Sequence, residues 1–174
     1  MSLGDNMNIE LKSILLTRYE EEKHKTLKDE LETGTSRSSF IHQIGERLED
    51  SKDNNKSIYQ SAFVVEDLGT PIGYLYISSR IRDEVFLEYA VLKEYRGKHY
   101  GSTIIRETSK YLFENHNIRA IRLDIDPSNK NSINAAEASG YTVDEEEFAS
   151  RNYTGRMQFV KDNEYYMSKH RGRK

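Results

Sequence analysis

Residues 88–102, EYAVLKEYRGKHYGS, decide which fold the sequence predicts. The stretch begins as an apolar, alternating strand and ends in a short loop that contains Arg96 and Lys98. A run with helical period opens at Ser102. A strand–loop–helix junction presents unpaired backbone N–H groups and the positive end of a helix dipole. These features together favour binding of a phosphate or pyrophosphate group.

Two common phosphate loops do not match this stretch. The dinucleotide fingerprint needs G-x-G-x-x-G, and the nucleoside-triphosphate loop needs G-x-x-x-x-G-K-[ST]. Gly97 and Gly101 are four residues apart, and no Lys-Ser or Lys-Thr pair follows Gly101. The loop therefore belongs to another class of phosphate-binding site.

The loop resembles the pyrophosphate loop of the GCN5-related N-acetyltransferases (GNAT), whose pattern is Arg/Gln-x-x-Gly-x-Gly/Ala. Here it reads RGKHYG from Arg96 to Gly101. Asn129-x-x-Ser132, followed by a Gly-Tyr pair at 140–141, is similar to the family's second signature. The matching motifs cover about residues 84–141.

His99 departs from the family pattern, because the fourth loop position is usually Gly. Two alternatives follow for this side chain. Either His99 adopts an ordinary right-handed conformation and points outward, or it limits how closely the backbone approaches a phosphate. In both cases the loop keeps its helix N-terminus and two cations.

The resemblance implies a single-domain α/β fold over residues 1–174, with a GNAT-like mixed sheet flanked by helices on both faces. The fourth and fifth strands would be parallel and splayed apart. Residues 93–119 supply the roughly 12 or more residues that a right-handed crossover needs. Strands are predicted at residues 7–12, 61–66, 72–79, 84–92, 120–125, 141–143 and 164–168. Helices are predicted after a capping box at Thr17–Glu20, around Phe40 to Leu48, and at residues 102–116 and 131–139.

Composition narrows the class of protein. The formal charge is −3, from 26 Lys and Arg against 29 Asp and Glu, which argues against a general nucleic-acid binder. Without cysteine, the chain has no disulfide, thiolate nucleophile or zinc–thiolate site. Its apolar runs fall well short of the ~20 residues that span a membrane. We expect a cytoplasmic location, no metal, and a polar leader at residues 1–6 that is disordered or left from expression.

Acetyl-coenzyme A is the co-substrate that the resemblance implies. Arg96 and Lys98 would supply positive charge. Asn129 and Ser132 of the second motif would also bind the co-substrate. The pyrophosphate would accept hydrogen bonds from the backbone of Gly97, Lys98, His99, Tyr100, Gly101 and Ser102. The pantetheine arm would bind the strand backbone at Ala90, Val91 and Leu92 like an added strand. The alternative for Asn129 is a helix N-cap or Asx turn.

Glu88 and Asp124 are the candidate general bases. An amine acceptor has a pKa of roughly 10, so it must lose a proton before it attacks the thioester. A positioned base contributes about 10²–10⁴-fold. Glu88 has apolar neighbours on its face of the strand and is the first choice, with Asp124 second. The alternative for both is a structural ion pair with Arg119 or Arg122, or a solvated strand end.

A general acid is not evident. Many family members carry a Tyr four residues before the Gly-Phe/Tyr pair, and Ala136 occupies that position here. Tyr141, Tyr165 or Tyr166 could substitute. The resemblance assigns polarisation of the thioester carbonyl to the Val91 N–H.

The predicted function is direct acetyl transfer to a primary amine of a small molecule or of a peptide or protein N-terminus. The resemblance also implies a homodimer as one assembly, and nothing indicates a membrane partner. Two alternatives come from other classes of protein. One is a non-catalytic coenzyme-A-binding sensor on the same fold, and the other is an RNA-associated protein that uses the basic tail at residues 169–174.

Overall fold

A computed structural model of the protein describes residues 8–34, 40–52, 57–81, 83–146, 156–164 and 166. The strands are β1 (Ile9–Glu10), β2 (Leu15–Thr17), β3 (Gln60–Asp67), β4 (Thr70–Ile81), β5 (Glu84–Val91), β6 (Ala120–Ile125), β7 (Thr142–Val143) and β8 (Met157–Asp162). The helices are α1 (Glu21–Gly34), α2 (Phe40–Ser51), α3 (Tyr100–Asn115) and α4 (Lys130–Ala138). A 3-10 turn covers Lys93–Tyr95.

The strands form a mixed sheet in the order β1-β2-β3-β4-β5-β6-β8-β7. β5 and β6 are the parallel pair, and they correspond to the predicted fourth and fifth strands. The mixed α/β class implied by the resemblance is thereby confirmed. None of the helices in the described ranges has the length and apolar character needed to cross a membrane.

The chain divides into two compact units. The first contains residues 1–78 and 89–100, and the second contains residues 79–88 and 101–174. The expectation of one domain over the whole chain stays a prediction.

In the first unit, the helices α1 and α2 pack on a core shared with the strands. Its buried members are Tyr19, Leu27, Leu31, Ile44, Leu48, Ala62, Val64, Tyr74 and Leu92. The capping box predicted at Thr17 is wrong, because Thr17 lies in β2 and pairs with Val64 of β3. The hydrogen bond at the start of α1 is made instead by His24, whose Nδ1 accepts from the Glu20 N–H at 2.9 Å. The Nε2–H of His24 then donates to the buried carboxylate of Glu66 at 2.7 Å.

In the second unit, the two faces of the strands differ in polarity. One face is apolar and buried, with Val85, Leu87, Ile121, Leu123, Ile125 and Phe159. Alternation places Glu84, Glu88, Arg122 and Asp124 together on the other face. α3 contributes Ile104, Ile105, Thr108 and Leu112 to buried positions. Tyr111 of the same helix is only half-buried.

The last strand is not where the sequence pattern placed it. β8 ends at Asp162, whereas Glu164 and Tyr166 are helical, so the strand predicted at residues 164–168 is wrong at both described positions. Asn163 ends the strand by donating its backbone N–H to Arg119 O at 2.8 Å and its side-chain amide to Ile118 O at 2.8 Å. The tail at residues 169–174 lies outside the described residues.

Candidate functional site

The loop between β5 and α3 contains two residues in the left-handed region. Gly97 has φ +78° and His99 has φ +65°. Glycine adopts this conformation at no steric cost, and nothing lies within 4 Å of the position that a Gly97 Cβ would occupy. Of the two alternatives for His99, the right-handed one is wrong. The exposed histidine takes the conformation that family members build with glycine, at a cost of about 1 kcal/mol.

The two cations of the loop remain exposed and near its backbone. Arg96 folds back so that its Nε donates to Val91 O at 3.1 Å, which ties the loop to the end of β5. Lys98 Nζ lies 5.5 Å from the centre of the Tyr95 ring. α3 begins at Tyr100, two residues before the predicted start. The first turn of this helix, at the positive end of its dipole, therefore follows directly on a positively charged loop.

The C-terminal end of β5 lies against β4 at a glycine. A Cβ on Gly73 would overlap the carbonyl oxygen of Ala90 and would lie 3.4 Å from Val91 Cα. Immediately beyond, the Leu92 N–H donates to Ile72 O at 2.9 Å. Sequence reasoning missed Gly73, although an isolated glycine within a strand pattern is a signal of close backbone approach.

The parallel pairing of β5 with β6 is short. It comprises three residue pairs and ends at Phe86–Arg122. β6 in contrast continues to pair with β8 as far as Ile125–Met157. β5 therefore leaves its parallel neighbour before Glu88, as the predicted splay requires.

Glu88 and Asp124 come from neighbouring strands at the point where this pairing ends. Each lies four residues beyond the paired positions Glu84 and Ala120, and both are half-buried on the polar face. Asp124 Oδ1 accepts a hydrogen bond from Gln158 Nε2 at 3.1 Å. The structure thus brings the two candidate bases to equivalent positions on adjacent strands.

Arg119 and Arg122, the proposed ion-pair partners of these bases, converge on another carboxylate. Arg119 and Arg122 both bind Glu84, with Arg122 Nε at 3.0 Å from Glu84 Oε2. Arg122 Nη1 also binds Asp144 Oδ2 and Gln158 Oε1, each at 2.8 Å. Because arginine can only donate, the Gln158 oxygen must face Arg122 and its amide nitrogen must face Asp124. Sequence reasoning missed Glu84 and Gln158, whose local patterns resemble ordinary strand positions.

Asn129 acts as the N-cap of α4. Its Oδ1 accepts a hydrogen bond from the Ser132 N–H at 3.2 Å, as the alternative for this residue proposed. Just before it, Asp126 Oδ1 accepts from the Ser128 N–H at 2.9 Å, which turns the chain from β6 toward the helix. This backbone hydrogen bond lowers the pKa of Asp126. The cap occupies the amide oxygen of Asn129, and the amide nitrogen is a separate donor group.

Two of the three tyrosines considered as general acids make other hydrogen bonds. Tyr141 is buried, and its hydroxyl lies 2.6 Å from Ser109 Oγ. Since Ser109 donates to Ile105 O, the tyrosine is the donor in this contact, and burial raises its pKa. Tyr166 donates to Asp83 at 3.1 Å, and Tyr165 lies outside the described residues. Within the described ranges, no cluster of three His, Asp or Glu side chains is arranged to hold a metal ion.

Solved structures with the same fold include several acetyltransferases. The ribosomal-protein-S5-alanine acetyltransferase of Vibrio fischeri is 17% identical, with a TM-score of 0.68 over 91% of this chain and 98% of that one. The spermidine N-acetyltransferase of Vibrio cholerae, solved with CoA and spermine, is 16% identical, with a TM-score of 0.64 over 89% of this chain and 98% of that one. An acetyltransferase of Agrobacterium tumefaciens str. C58 is 16% identical, with a TM-score of 0.67 over 88% and 93%.

Sequence comparison identifies the family. No curated protein sequence matches the chain. A profile of the Acetyltransferase (GNAT) family matches residues 15–141, a range that includes both motifs and extends upstream through α1 and α2. The chain therefore belongs to the Acetyltransferase (GNAT) family and is an N-acetyltransferase.

Proposed function

We propose that this protein transfers the acetyl group of acetyl-coenzyme A directly to a primary amine of a small molecule or of a protein N-terminus. One observation carries the proposal. The strand end at Ala90–Leu92, the left-handed loop and the first turn of α3 follow one another along a single stretch of chain. This order matches the order of the parts of coenzyme A, with the strand end beside the pantetheine arm and the loop and helix start beside the diphosphate.

The residues of the loop suit a diphosphate. Turns that contain left-handed residues can direct neighbouring backbone N–H groups toward one side, which makes a concave anion site. Gly97 and His99 are the left-handed residues of this loop, and Arg96 and Lys98 add positive charge. The N–H groups of Gly101 and Ser102, in the first turn of α3, extend the set of donors.

The residues at the end of β5 suit the acyl-bearing arm. Beyond Phe86 the strand has left β6. The main chain of residues 90–92 would pair with the amides of pantetheine through groups other than the Leu92 N–H, which donates to Ile72 O. The proposal assigns polarisation of the thioester carbonyl to the Val91 N–H. Asn129 would bind the arm through its amide nitrogen while its oxygen caps α4.

The chemical step needs a base but no covalent enzyme intermediate. The thioester supplies an activated acyl group with a thiolate as leaving group. Glu88 accepts one proton from the acceptor ammonium, and the amine nitrogen then bonds to the acetyl carbon. The carbon–sulfur bond breaks to release the thiolate, and the second proton on the nitrogen passes to that thiolate or to water. Asp124 is the second candidate for the base, and its carboxylate is oriented by Gln158.

An amine-panel assay tests this function. We expect release of free thiol from acetyl-coenzyme A to depend on one of the amines offered: peptides with free N-termini, polyamines or amino sugars. Calorimetry on the same preparation should show uptake of coenzyme A, and light scattering would test the homodimer included in this proposal. Binding without turnover on any amine would favour the sensor function, and absence of binding would contradict both.

Gly73→Ala is a second test of the strand-end site. The new Cβ would displace the Ala90 carbonyl, so we expect acetyl-coenzyme A to bind at least about tenfold more weakly, since backbone rather than a flexible side chain must move. Calorimetry with coenzyme A measures the effect. Gly69→Asn is the matched control, because Gly69 is left-handed in the β3–β4 turn with nothing near its Cβ position. Equal affinities of the two variants would contradict the role of the strand end.

A further inference from the structure

The conformation of the diphosphate loop is not fixed by its own sequence. Gly97 reaches its left-handed conformation easily, but a histidine prefers other conformations, and the His99 residue is exposed. A loop with this sequence would therefore sample other shapes if nothing else restrained it. Contacts from outside the loop therefore add to the Arg96–Val91 contact in keeping it in its observed shape.

One side chain connects the loop to a distant part of the first unit. Tyr100 directly follows His99, and its hydroxyl donates a hydrogen bond to Asp67 Oδ2 across 33 positions of sequence. The Tyr100 ring also meets Tyr95 edge-on, with centroids 6.3 Å apart and planes at 81°. The hydroxyl is a stable donor, because the hydrogen bond to Asp67 and burial raise the pKa of Tyr100.

Asp67 is a suitable anchor for such a contact. It is the last residue of β3 and pairs with Thr70 across the hairpin turn. The two turn residues between them are Leu68 at φ +48° and Gly69 at φ +83°, the signs that a two-residue hairpin turn requires. A paired strand end next to a tight turn moves little, so a hydrogen bond from it restrains its partner.

We propose that Asp67, acting through the Tyr100 hydroxyl, is a positioning residue that holds the diphosphate loop in its binding shape before the co-substrate arrives. This rests on the proposed binding of acetyl-coenzyme A by the loop. Pre-organisation of this kind improves affinity because binding then carries no conformational entropy cost for ordering the loop. Asp67 need not contact the co-substrate. Its loss weakens the binding only of acyl donors that carry a diphosphate.

The kinetic test uses Asp67 variants and two acyl donors. For Asp67→Ala we expect the KM for acetyl-coenzyme A to rise at least about tenfold, the lower end of what one hydrogen bond to a charged group contributes, with kcat unchanged. Asp67→Asn keeps an acceptor oxygen and should restore most of the affinity. With acetyl-pantetheine, which lacks the diphosphate, wild type and both variants should have the same KM. An equal rise for both donors would overturn the proposal, as would an unchanged KM for acetyl-coenzyme A.

A second measurement needs no co-substrate. In the unliganded protein, hydrogen exchange of the amides at residues 97–101 should be faster in Asp67→Ala and in Tyr100→Phe than in wild type. Tyr100→Phe keeps the ring against Tyr95 and removes only the hydroxyl. Unchanged exchange in both variants would overturn the restraint. If wild type took up no coenzyme A while the loop still exchanged faster, the proposed function would fail and the restraint would stand.

Discussion

Replacement of Glu88 by Gln is expected to lower kcat about 10²–10⁴-fold and to leave the affinity for coenzyme A unchanged. Glutamine has the shape of glutamate but cannot take a proton from the acceptor ammonium. Glu88 is half-buried on β5, two residues beyond the last residue that pairs with β6. The measurement is the initial rate of thiol release at saturating substrates, together with calorimetry of coenzyme A binding.

Asp124→Asn separates the two candidate bases. If Glu88 is the base, Asp124→Asn should cost far less, because its amide can still occupy a position beside Gln158. A large loss of kcat in Asp124→Asn with little change in Glu88→Gln would exchange the two roles. Glu114→Gln, an exposed position near the end of α3, serves as the control and should behave as wild type.

Replacement of Glu84 by Ala is expected to lower the free energy of unfolding by about 3–5 kcal/mol. The Glu84 side chain is only 3% exposed and binds Arg119 and Arg122 together. Its removal leaves two guanidinium groups side by side, with Arg122 still bound to Asp144. Urea unfolding followed by circular dichroism measures the loss.

The exposed ion pair of Lys25 and Asp29 provides the matched control. These side chains are 62% and 53% exposed and lie 3.2 Å apart on α1. Asp29→Ala should cost no more than about 0.5 kcal/mol, since water and salt screen such a pair. If Glu84→Ala and Asp29→Ala had equal effects, the buried cluster around Glu84 would have no special part in stability.

The elements with strong local signals were predicted from the sequence. Asp67 to Pro71 has the composition of a tight turn between the strands predicted at residues 61–66 and 72–79, and the structure contains an antiparallel hairpin there. The period-2 pattern located β6 at Ala120–Ile125, and the helical period located α3 to within two residues at its start. In each case residues close in sequence determine the element.

Elements that depend on distant partners were missed or misplaced. β2 is three residues long and exists because it pairs with β3, about fifty residues away. β8 likewise pairs with β6, whereas the aromatic pair at residues 165–166 favoured a strand too late in the chain. Local propensity does not contain this information, because burial and pairing decide between neighbouring segments.

The site shows the same division. The loop motif and the two carboxylates can be identified from residue types and spacing. The left-handed His99 and the approach of Gly73 to Ala90 depend on backbone geometry, and the Gln158–Asp124 contact depends on pairing between β6 and β8. None of these has a signature in one segment alone.

The enclosed methyl group of Ala136 has a consequence for the range of acyl donors. With alanine at this position and Tyr141 bound to Ser109, neither residue delivers a proton to the departing atom. A thiol of pKa about 8.5 leaves readily as its anion, but an alcohol, whose anion is far more basic, does not. Discrimination between a thioester and an oxygen ester would then follow from the lack of a proton donor at these two positions, and no dedicated recognition of the sulfur would be needed.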